Sequence, residues 1–141
     1  MAIRAGSPSN PLQRRVRLLL VDDMPQVRRD LRLLLELTGL IDVVGEAEEG
    51  AQAVRLASEL SPDAVLMDLE MPAGMDGYEA THLIKNQAKR EQAHEVRVIV
   101  LSVHAGLEER RRAEAAGADV FVMKGANYQV LVDAILSKEG S

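Results

Sequence analysis

The sequence has no cysteine and no tryptophan, and its aromatic residues are two tyrosines and one phenylalanine. Without cysteine, neither a disulfide framework nor a thiolate metal site can form. With so few aromatic rings, any core must be built from leucine, valine, isoleucine, alanine and methionine. Apolar residues make up 47% of the chain and charged residues 28%, a balance typical of a globular domain.

Long apolar runs and a positive charge are also missing. No run reaches the roughly 18 apolar residues of a membrane span, and residues 1–15 lack the apolar core of a signal peptide. The net charge of −5 argues against a nucleic-acid surface, which is normally basic. We therefore predict a cytoplasmic protein that binds neither nucleic acid nor membrane.

The 141 residues suffice for one domain with a core and not for two. Residues 1–15 contain Pro8 and Pro11 in a polar setting and show no hydrophobic periodicity, which predicts a flexible N-terminal extension. Residues 16–138 form the predicted domain, and 139–141 are a short tail.

Within that domain, short apolar runs alternate with amphipathic stretches. The runs predict five strands, at residues 16–21, 42–47, 64–67, 96–101 and 119–123. Helices are predicted from Pro25 to before Gly39, from after Gly50 to Leu60, from an Asp76 capping box to about Lys89, and over 107–116 and 128–137. On the first helix, the expected buried stripe is Val27, Leu31, Leu34 and Leu35. This alternation indicates an α/β fold, a parallel sheet with helices on both faces.

Reactive side chains stand where four of the predicted strands end. The central one is Asp68, which stops the apolar run of residues 64–67 and precedes a turn rich in proline and glycine. The carboxyl ends of parallel strands share one edge of the sheet, where open α/β sheets bind ligands. The residues expected to meet there are Asp22, Asp23, Asp68, Ser102 and Lys124.

Three carboxylates in one crevice repel one another, and a hard divalent cation relieves the repulsion. Mg²⁺ takes one or two carboxylates, keeps several waters and completes its octahedron with phosphate oxygens. Such a site polarises a phosphoryl group and leaves one carboxylate free to attack it. Lys124 would then neutralise a phosphoryl oxygen, and Ser102 could donate a hydrogen bond to another.

Five short motifs carry a resemblance to a known family. They are Leu-Leu-Val-Asp-Asp at 19–23, Met-Asp-Leu-Glu-Met-Pro at 67–72, Met-Asp-Gly at 75–77, Val-Leu-Ser at 100–102 and Phe-Val-Met-Lys at 121–124. In this order and spacing the sequence resembles a receiver domain of two-component response regulators. It is most similar to the receivers of NarL/LuxR-type transcriptional regulators, which carry a helix-turn-helix output. The resemblance covers about residues 16–138 and implies a flavodoxin-like (βα)5 fold with strand order 2-1-3-4-5.

The resemblance also implies roles for individual residues. Asp68 would be the phosphoacceptor, and it would share a Mg²⁺ ion with Asp22, Asp23 and the backbone carbonyl of Glu70. Ser102 and Lys124 would contact the phosphoryl group, and Ser102 would also take part in the switch. Phe121 would occupy the aromatic switch position.

The implied partner is a sensor histidine kinase or a phosphotransfer protein. Phosphorylation would change the surface of the fourth helix, fifth strand and fifth helix, and homodimerisation on phosphorylation is a further hypothesis. The chain would not be an enzyme acting on a separate substrate, because it would catalyse only its own phosphoryl transfer and dephosphorylation.

Two other functions stay open, and departures from the family pattern support one of them. Ala73-Gly74 lengthens the loop after Pro72, and Val103 follows Ser102 where a small residue is common. Either feature fits a receiver-like binding module that is never phosphorylated. A Mg²⁺-dependent phosphohydrolase with an aspartyl-phosphate intermediate is the other alternative, although such enzymes usually need a second aspartate soon after the nucleophile, and position 70 is Glu70. The acidic pair at 22–23 has a simpler alternative, a helix N-cap.

Overall fold

The computed structural model describes residues 14–91, 94–104 and 106–137, and it contains every predicted strand and helix. The strands are β1 (Val16–Val21), β2 (Ile41–Ala47), β3 (Ala64–Asp68), β4 (Arg97–Ser102) and β5 (Val120–Met123). The helices are α1 (Pro25–Glu36), α2 (Gly50–Leu60), α3 (Gly77–Arg90), α4 (Leu107–Ala116) and α5 (Tyr128–Leu136). Several ends differ from the prediction by one residue. Strand β3, for example, includes Asp68 because it pairs with Leu101 of β4.

The five strands form one parallel sheet in the order β2-β1-β3-β4-β5, which confirms the predicted fold and strand order. Side chains of the strands alternate between the two faces. Leu19, Val65 and Val98 belong to one buried cluster, which includes residues of α2, α3 and α4. Leu18 and Leu66 belong to a second cluster, which includes residues of α1 and α5. The central strands are therefore apolar on both faces, as their unbroken hydrophobic runs predict.

The predicted buried stripe of α1 is wrong at one position. Leu35 is fully buried against the sheet, and Val27 and Leu31 are half-buried, but Leu34 is 44% exposed. Successive helical residues are rotated by about 100°, so Leu34 turns away from the sheet when Leu35 faces it. The backbone carbonyl of Leu34 instead accepts a hydrogen bond from the hydroxyl of Tyr128 on α5.

Helices α4 and α5 are held to the sheet very differently. Four residues of α5 are buried (Leu131, Val132, Ala134 and Ile135). Arg97 of β4 also donates to the carbonyls of Ala134 and Ile135 at 2.9 and 3.1 Å. Helix α4 buries Ala113 alone among its side chains. Two of its arginines lie over aromatic rings, Arg112 at 3.9 Å from the Tyr78 centroid and Arg110 at 4.7 Å from the Phe121 centroid.

The start of α3 is fitted closely against the end of β3. Asp76 is the N-cap, and its carboxylate accepts the N–H of Glu79 at 2.8 Å, as the predicted cap requires. A Cβ atom added to Gly77 would lie 2.7 Å from the carbonyl oxygen of Asp68 and 3.0 Å from the Cα of Leu69. Glycine at 77 thus lets α3 begin directly beside the functional edge of the sheet.

The predicted extension and tail fall mainly outside the described residues. Arg15, at the end of the predicted extension, has its guanidinium 2.9 Å from the Asp42 carboxylate of β2. Among the described residues, no helix combines the length and apolar character needed to cross a bilayer.

Thr81 of α3 provides a test of the packing. Its side chain is fully buried, and its hydroxyl has no hydrogen-bond partner within the described part of the chain. We expect Thr81→Val to raise the free energy of unfolding by about 1 kcal/mol, because valine has the same shape and removes an unsatisfied polar group. Urea unfolding measures the change.

Thr38→Val is the matched control. The Thr38 hydroxyl donates to the carbonyl of Leu35 at 2.7 Å and accepts the N–H of Leu40 at 3.0 Å. Its loss should lower the free energy of unfolding by about 1 kcal/mol. Equal destabilisation by the two substitutions would contradict the assignment of Thr81 as unsatisfied.

Candidate functional site

The carboxyl ends of β1 and β3 bring three aspartates together, as predicted. Asp22 and Asp23 follow β1, and Asp68 is the last residue of β3. One carboxylate oxygen of each lies within 4.8 Å of the others. Asp22 is only 3% exposed and Asp68 only 1%. Burial on this scale is unusual for carboxylates and needs compensating contacts.

Part of the compensation comes from Lys124, which follows β5. Its Nζ lies 2.8 Å from Oδ1 of Asp68 and 3.7 Å from Oε1 of Glu70. The backbone N–H of Lys124 donates to the carbonyl of Ser102 at 2.8 Å, which joins the ends of β5 and β4. The predicted lysine therefore reaches the predicted aspartate directly.

Two backbone N–H groups contribute as well. The N–H of Glu70 donates to Oδ1 of Asp68 at 2.9 Å, and the N–H of Met24 donates to Oδ1 of Asp22 at 2.9 Å. The N-cap residue of α1 is Met24. The simpler alternative, that the pair at 22–23 serves only as a helix N-cap, is therefore wrong.

Ser102 is at the same edge, but its hydroxyl is engaged. The residue is fully buried, and its Oγ lies 2.6 Å from Oε2 of Glu70. The same oxygen accepts the N–H of His104 at 3.0 Å and lies 3.0 Å from the carbonyl of His104. A hydroxyl has one proton to donate. Of the two possible acceptors, the Glu70 carboxylate is closer than the carbonyl of His104 and, being charged, is the stronger acceptor.

The Glu70 side chain makes contacts that the sequence did not reveal. Its backbone carbonyl was predicted to bind Mg²⁺, and no observation on that oxygen tests the prediction. Its carboxylate bridges Ser102 and the N–H of Val103, which donates to Oε1 at 3.1 Å. The sequence feature that could have predicted these contacts is the position of Glu70, two residues after Asp68 at a strand end that faces the end of β4.

The two departures from the motifs lie in the loop after Pro72 and directly after Ser102. Gly74, in the lengthened loop, adopts a left-handed conformation with φ of +73° that favours glycine. The loop approaches the start of α2, since a Cβ on Gly50 would be 2.5 Å from the carbonyl oxygen of Met75. The Val103 side chain is 53% exposed, and its contribution to the site is its backbone N–H.

Phe121 lies in β5 rather than among the carboxylates. It pairs with Val100 of β4, is half-buried, and has the Arg110 guanidinium 4.7 Å from its ring centroid. Nothing in this arrangement tests a switching role, which stays a prediction.

Comparison with known proteins decides the family. Residues 18–136 match the response regulator receiver domain. The chain belongs to that family.

Named relatives are consistent with this. The transcriptional regulatory protein LiaR of Bacillus subtilis (strain 168) is 42% identical over 120 residues, which are 85% of this chain and 54% of LiaR. The nitrate/nitrite response regulator protein NarL of Escherichia coli (strain K12) is 36% identical over 118 residues, 84% of this chain and 52% of NarL. This receiver domain thus spans about half the length of the curated relatives it matches.

Solved structures are similar as well. A two-component response regulator of the LuxR family from Aurantimonas sp. SI85-9A1 has a TM-score of 0.77 at 37% identity, covering 86% of this chain and 82% of that one. The signal receiver domain of the putative response regulator NarL from Mycobacterium tuberculosis has a TM-score of 0.75 at 32% identity, covering 87% and 94%. These neighbours are receiver domains of the same flavodoxin-like fold.

In this receiver domain, burial dominates the ionisation of Asp68. Desolvation raises its pKa from 3.8 to about 6, against the lowering effects of Lys124 and the Glu70 N–H, and the charge of Asp22 adds to the rise. For Lys124, burial lowers the pKa, but the hydrogen bond to Asp68 and the charges of Asp68, Asp22 and Glu70 outweigh it and raise the pKa above its ordinary value. The lysine is therefore firmly charged, whereas ionised Asp68 is disfavoured by the fold.

Asp68→Asn should consequently stabilise the receiver domain at pH 8 in the presence of EDTA, by about 1 kcal/mol. The folded pKa of Asp68 lies above its unfolded value, so wild-type stability falls as pH rises from about 4 to about 6 and stays lower above that range. The advantage of the variant should shrink as the pH is lowered toward 4. Urea unfolding of both proteins across this range measures it, and a constant difference at all pH values would contradict the assignment.

Proposed function

We propose that this receiver domain accepts a phosphoryl group on Asp68 from the phosphohistidine of a sensor histidine kinase or a phosphotransfer protein. The observation that carries the proposal is the buried Asp68 carboxylate, 2.8 Å from Lys124 Nζ and grouped with the carboxylates of Asp22 and Asp23. A nucleophile, a fixed cation and a set of oxygen ligands are the parts that phosphoryl transfer needs.

The transfer is a displacement at phosphorus. A carboxylate oxygen of Asp68 forms the new P–O bond while the P–N bond to the imidazole breaks, and the imidazole nitrogen keeps the electron pair and takes up a proton. The Lys124 ammonium, already within hydrogen-bond distance of Asp68, offsets negative charge on the transferred group.

The acidic cluster fits a magnesium ion. Mg²⁺ binds oxygen ligands at about 2.0–2.1 Å in an octahedron, so two of its ligand oxygens lie at most about 4.2 Å apart. The three carboxylate oxygens lie within 4.8 Å of one another and need only a small approach to share one ion. We infer that Asp22, Asp23, Asp68 and the backbone carbonyl of Glu70 hold it. When bound, the ion supplies positive charge that relieves the carboxylate repulsion and polarises the phosphoryl group.

The proposed output is a change in the surface formed by α4, β5 and α5. Support comes from the direct backbone bond between the ends of β4 and β5, the N–H of Lys124 to the carbonyl of Ser102 at 2.8 Å. A rearrangement of Ser102 toward a phosphoryl oxygen would act on β5 through this bond. Phe121 lies on β5 and contacts Arg110 of α4. This contact favours Phe121 as the residue that changes position when Asp68 is phosphorylated.

Several further features are inferred from the family rather than from geometry. The named relatives are a transcriptional regulatory protein and a response regulator protein, and the matched region is about half the length of each. We infer that this receiver controls an output domain or a protein partner, with homodimerisation on phosphorylation, in the cytoplasm. The absence of direct nucleic-acid binding by the chain itself stays a prediction, based on its net charge of −5.

Labelling of Asp68 is the decisive experiment. After incubation with Mg²⁺ and phosphoramidate, the intact mass of the wild type should rise by one phosphoryl group, and Asp68→Asn should show no adduct. Asp76→Asn is the control, because it removes a nearby exposed carboxylate and asparagine caps a helix as well as aspartate does. An unlabelled wild type with an intact fold would favour the binding module that is never phosphorylated, and a label that persists in Asp68→Asn would place the phosphoacceptor elsewhere.

Mg²⁺ binding is tested separately by thermal unfolding. An ion that binds only the folded protein adds about 1.4 kcal/mol of stability at tenfold its dissociation constant. Wild type and Asp76→Asn should therefore unfold at a higher temperature in MgCl₂ than in EDTA, and Asp23→Asn should lose most of that gain. An equal gain in all three proteins would show that the cluster is not where the ion binds.

A further inference from the structure

We propose that the Glu70 carboxylate occupies, in the resting protein, the position that a phosphoryl group on Asp68 would take, and that it must leave when Asp68 is modified. The inference rests on the proposed function of Asp68. It makes Glu70 a positioning residue that competes with the phosphoryl group for the same hydrogen-bond donors.

Three donors surround the Glu70 carboxylate. The Ser102 hydroxyl lies 2.6 Å from Oε2, the Val103 N–H donates to Oε1 at 3.1 Å, and the Lys124 ammonium is 3.7 Å from Oε1. The same ammonium is 2.8 Å from Oδ1 of Asp68. A hydroxyl, a backbone N–H and an ammonium at the side of the nucleophile form a receptor for anionic oxygens. In the resting protein, that receptor already holds an anion.

Local structure explains why Glu70 reaches these donors. The N–H of Leu69 donates to the carbonyl of Leu101 at 2.9 Å and continues the pairing of β3 with β4. The N–H of Glu70 then turns back to Oδ1 of Asp68 at 2.9 Å. The backbone is thereby fixed immediately before the Glu70 side chain, whose carboxylate reaches the end of β4.

The Glu70 carboxylate and a phosphoryl group cannot use this position together. A phosphoryl group at neutral pH carries between one and two negative charges, and the Ser102 hydroxyl has a single proton to donate. The Glu70 side chain is 34% exposed, so solvent is open to it when it is displaced. Phosphorylation thus exchanges one anion for another, and Ser102 and Val103 keep their resting arrangement until the exchange occurs.

Beryllofluoride, a phosphoryl mimic, tests the competition in equilibrium binding. In excess Mg²⁺, isothermal titration calorimetry should give dissociation constants about tenfold lower for Glu70→Ala than for wild type, with Glu70→Gln between them because its amide is neutral but retains an acceptor. Glu59→Gln is the control, since it makes the same charge change on the exposed face of α2. The initial rate of labelling by phosphoramidate should rise in the same order.

The amide resonance of Val103 in NMR spectra gives a second measurement. A purely structural role of Glu70 would not change this resonance in the way that the competition would. In the free protein, Glu70→Ala should shift this ¹H resonance upfield, because the N–H loses its carboxylate acceptor. With beryllofluoride bound, the resonances of wild type and variant should converge, because the same N–H then faces the fluoride ligands in both proteins.

The outcomes separate this inference from the proposed function. Labelling and beryllofluoride binding of equal strength in wild type and both Glu70 variants would overturn the role of Glu70 and leave Asp68 as the phosphoacceptor. Labelling of the variants together with a slow or undetectable wild type would support the competition. No label and no binding in any variant would overturn the proposed function and this inference with it.

Discussion

The burial of three neighbouring carboxylates is the constraint on which the functional edge depends. Asp68 is almost fully buried beside Asp22 and Asp23, so mutual repulsion and lost hydration both oppose its ionisation. One ammonium, that of Lys124, and two backbone N–H groups offset part of this cost. This edge of the sheet therefore carries more negative than positive charge, and a bound cation is the group best suited to balance it.

Most of the fold could be predicted from residue patterns alone. The bounds of β1 and α4 agree with their predictions, because an apolar run ending in acid and a helix ended by Gly117 are strong local signals. Alternation of strands and helices establishes a parallel sheet but leaves the order of strands open. That order came from the resemblance to receiver domains, whose motifs encode a topology that periodicity cannot.

The site could be predicted as a set of residues but not as a set of contacts. Strand ends brought Asp22, Asp68 and Lys124 to one edge, as any parallel sheet would. The bridge from Glu70 to Ser102 depends on a side-chain rotamer and on the N–H of Val103, and residue type specifies neither. The exposure of Leu34 was missed for a similar reason, since a helical pattern leaves the rotation of the helix uncertain by part of a turn.

Helices α4 and α5 are attached to the rest of the domain to different extents, and this difference determines which of the two shifts more easily. Burying one large aliphatic side chain stabilises a protein by about 1.5–3 kcal/mol, and α5 buries three such residues and has hydrogen bonds to its neighbours near both of its ends. Helix α4 buries a single alanine and otherwise rests its arginines on aromatic rings. If phosphorylation changes the edge of the sheet as proposed, hydrogen bonds gained there would reposition α4 at a lower cost in free energy than α5. The change in the surface of α4, β5 and α5 would then lie mainly in α4, and α5 would be the part against which a partner detects it.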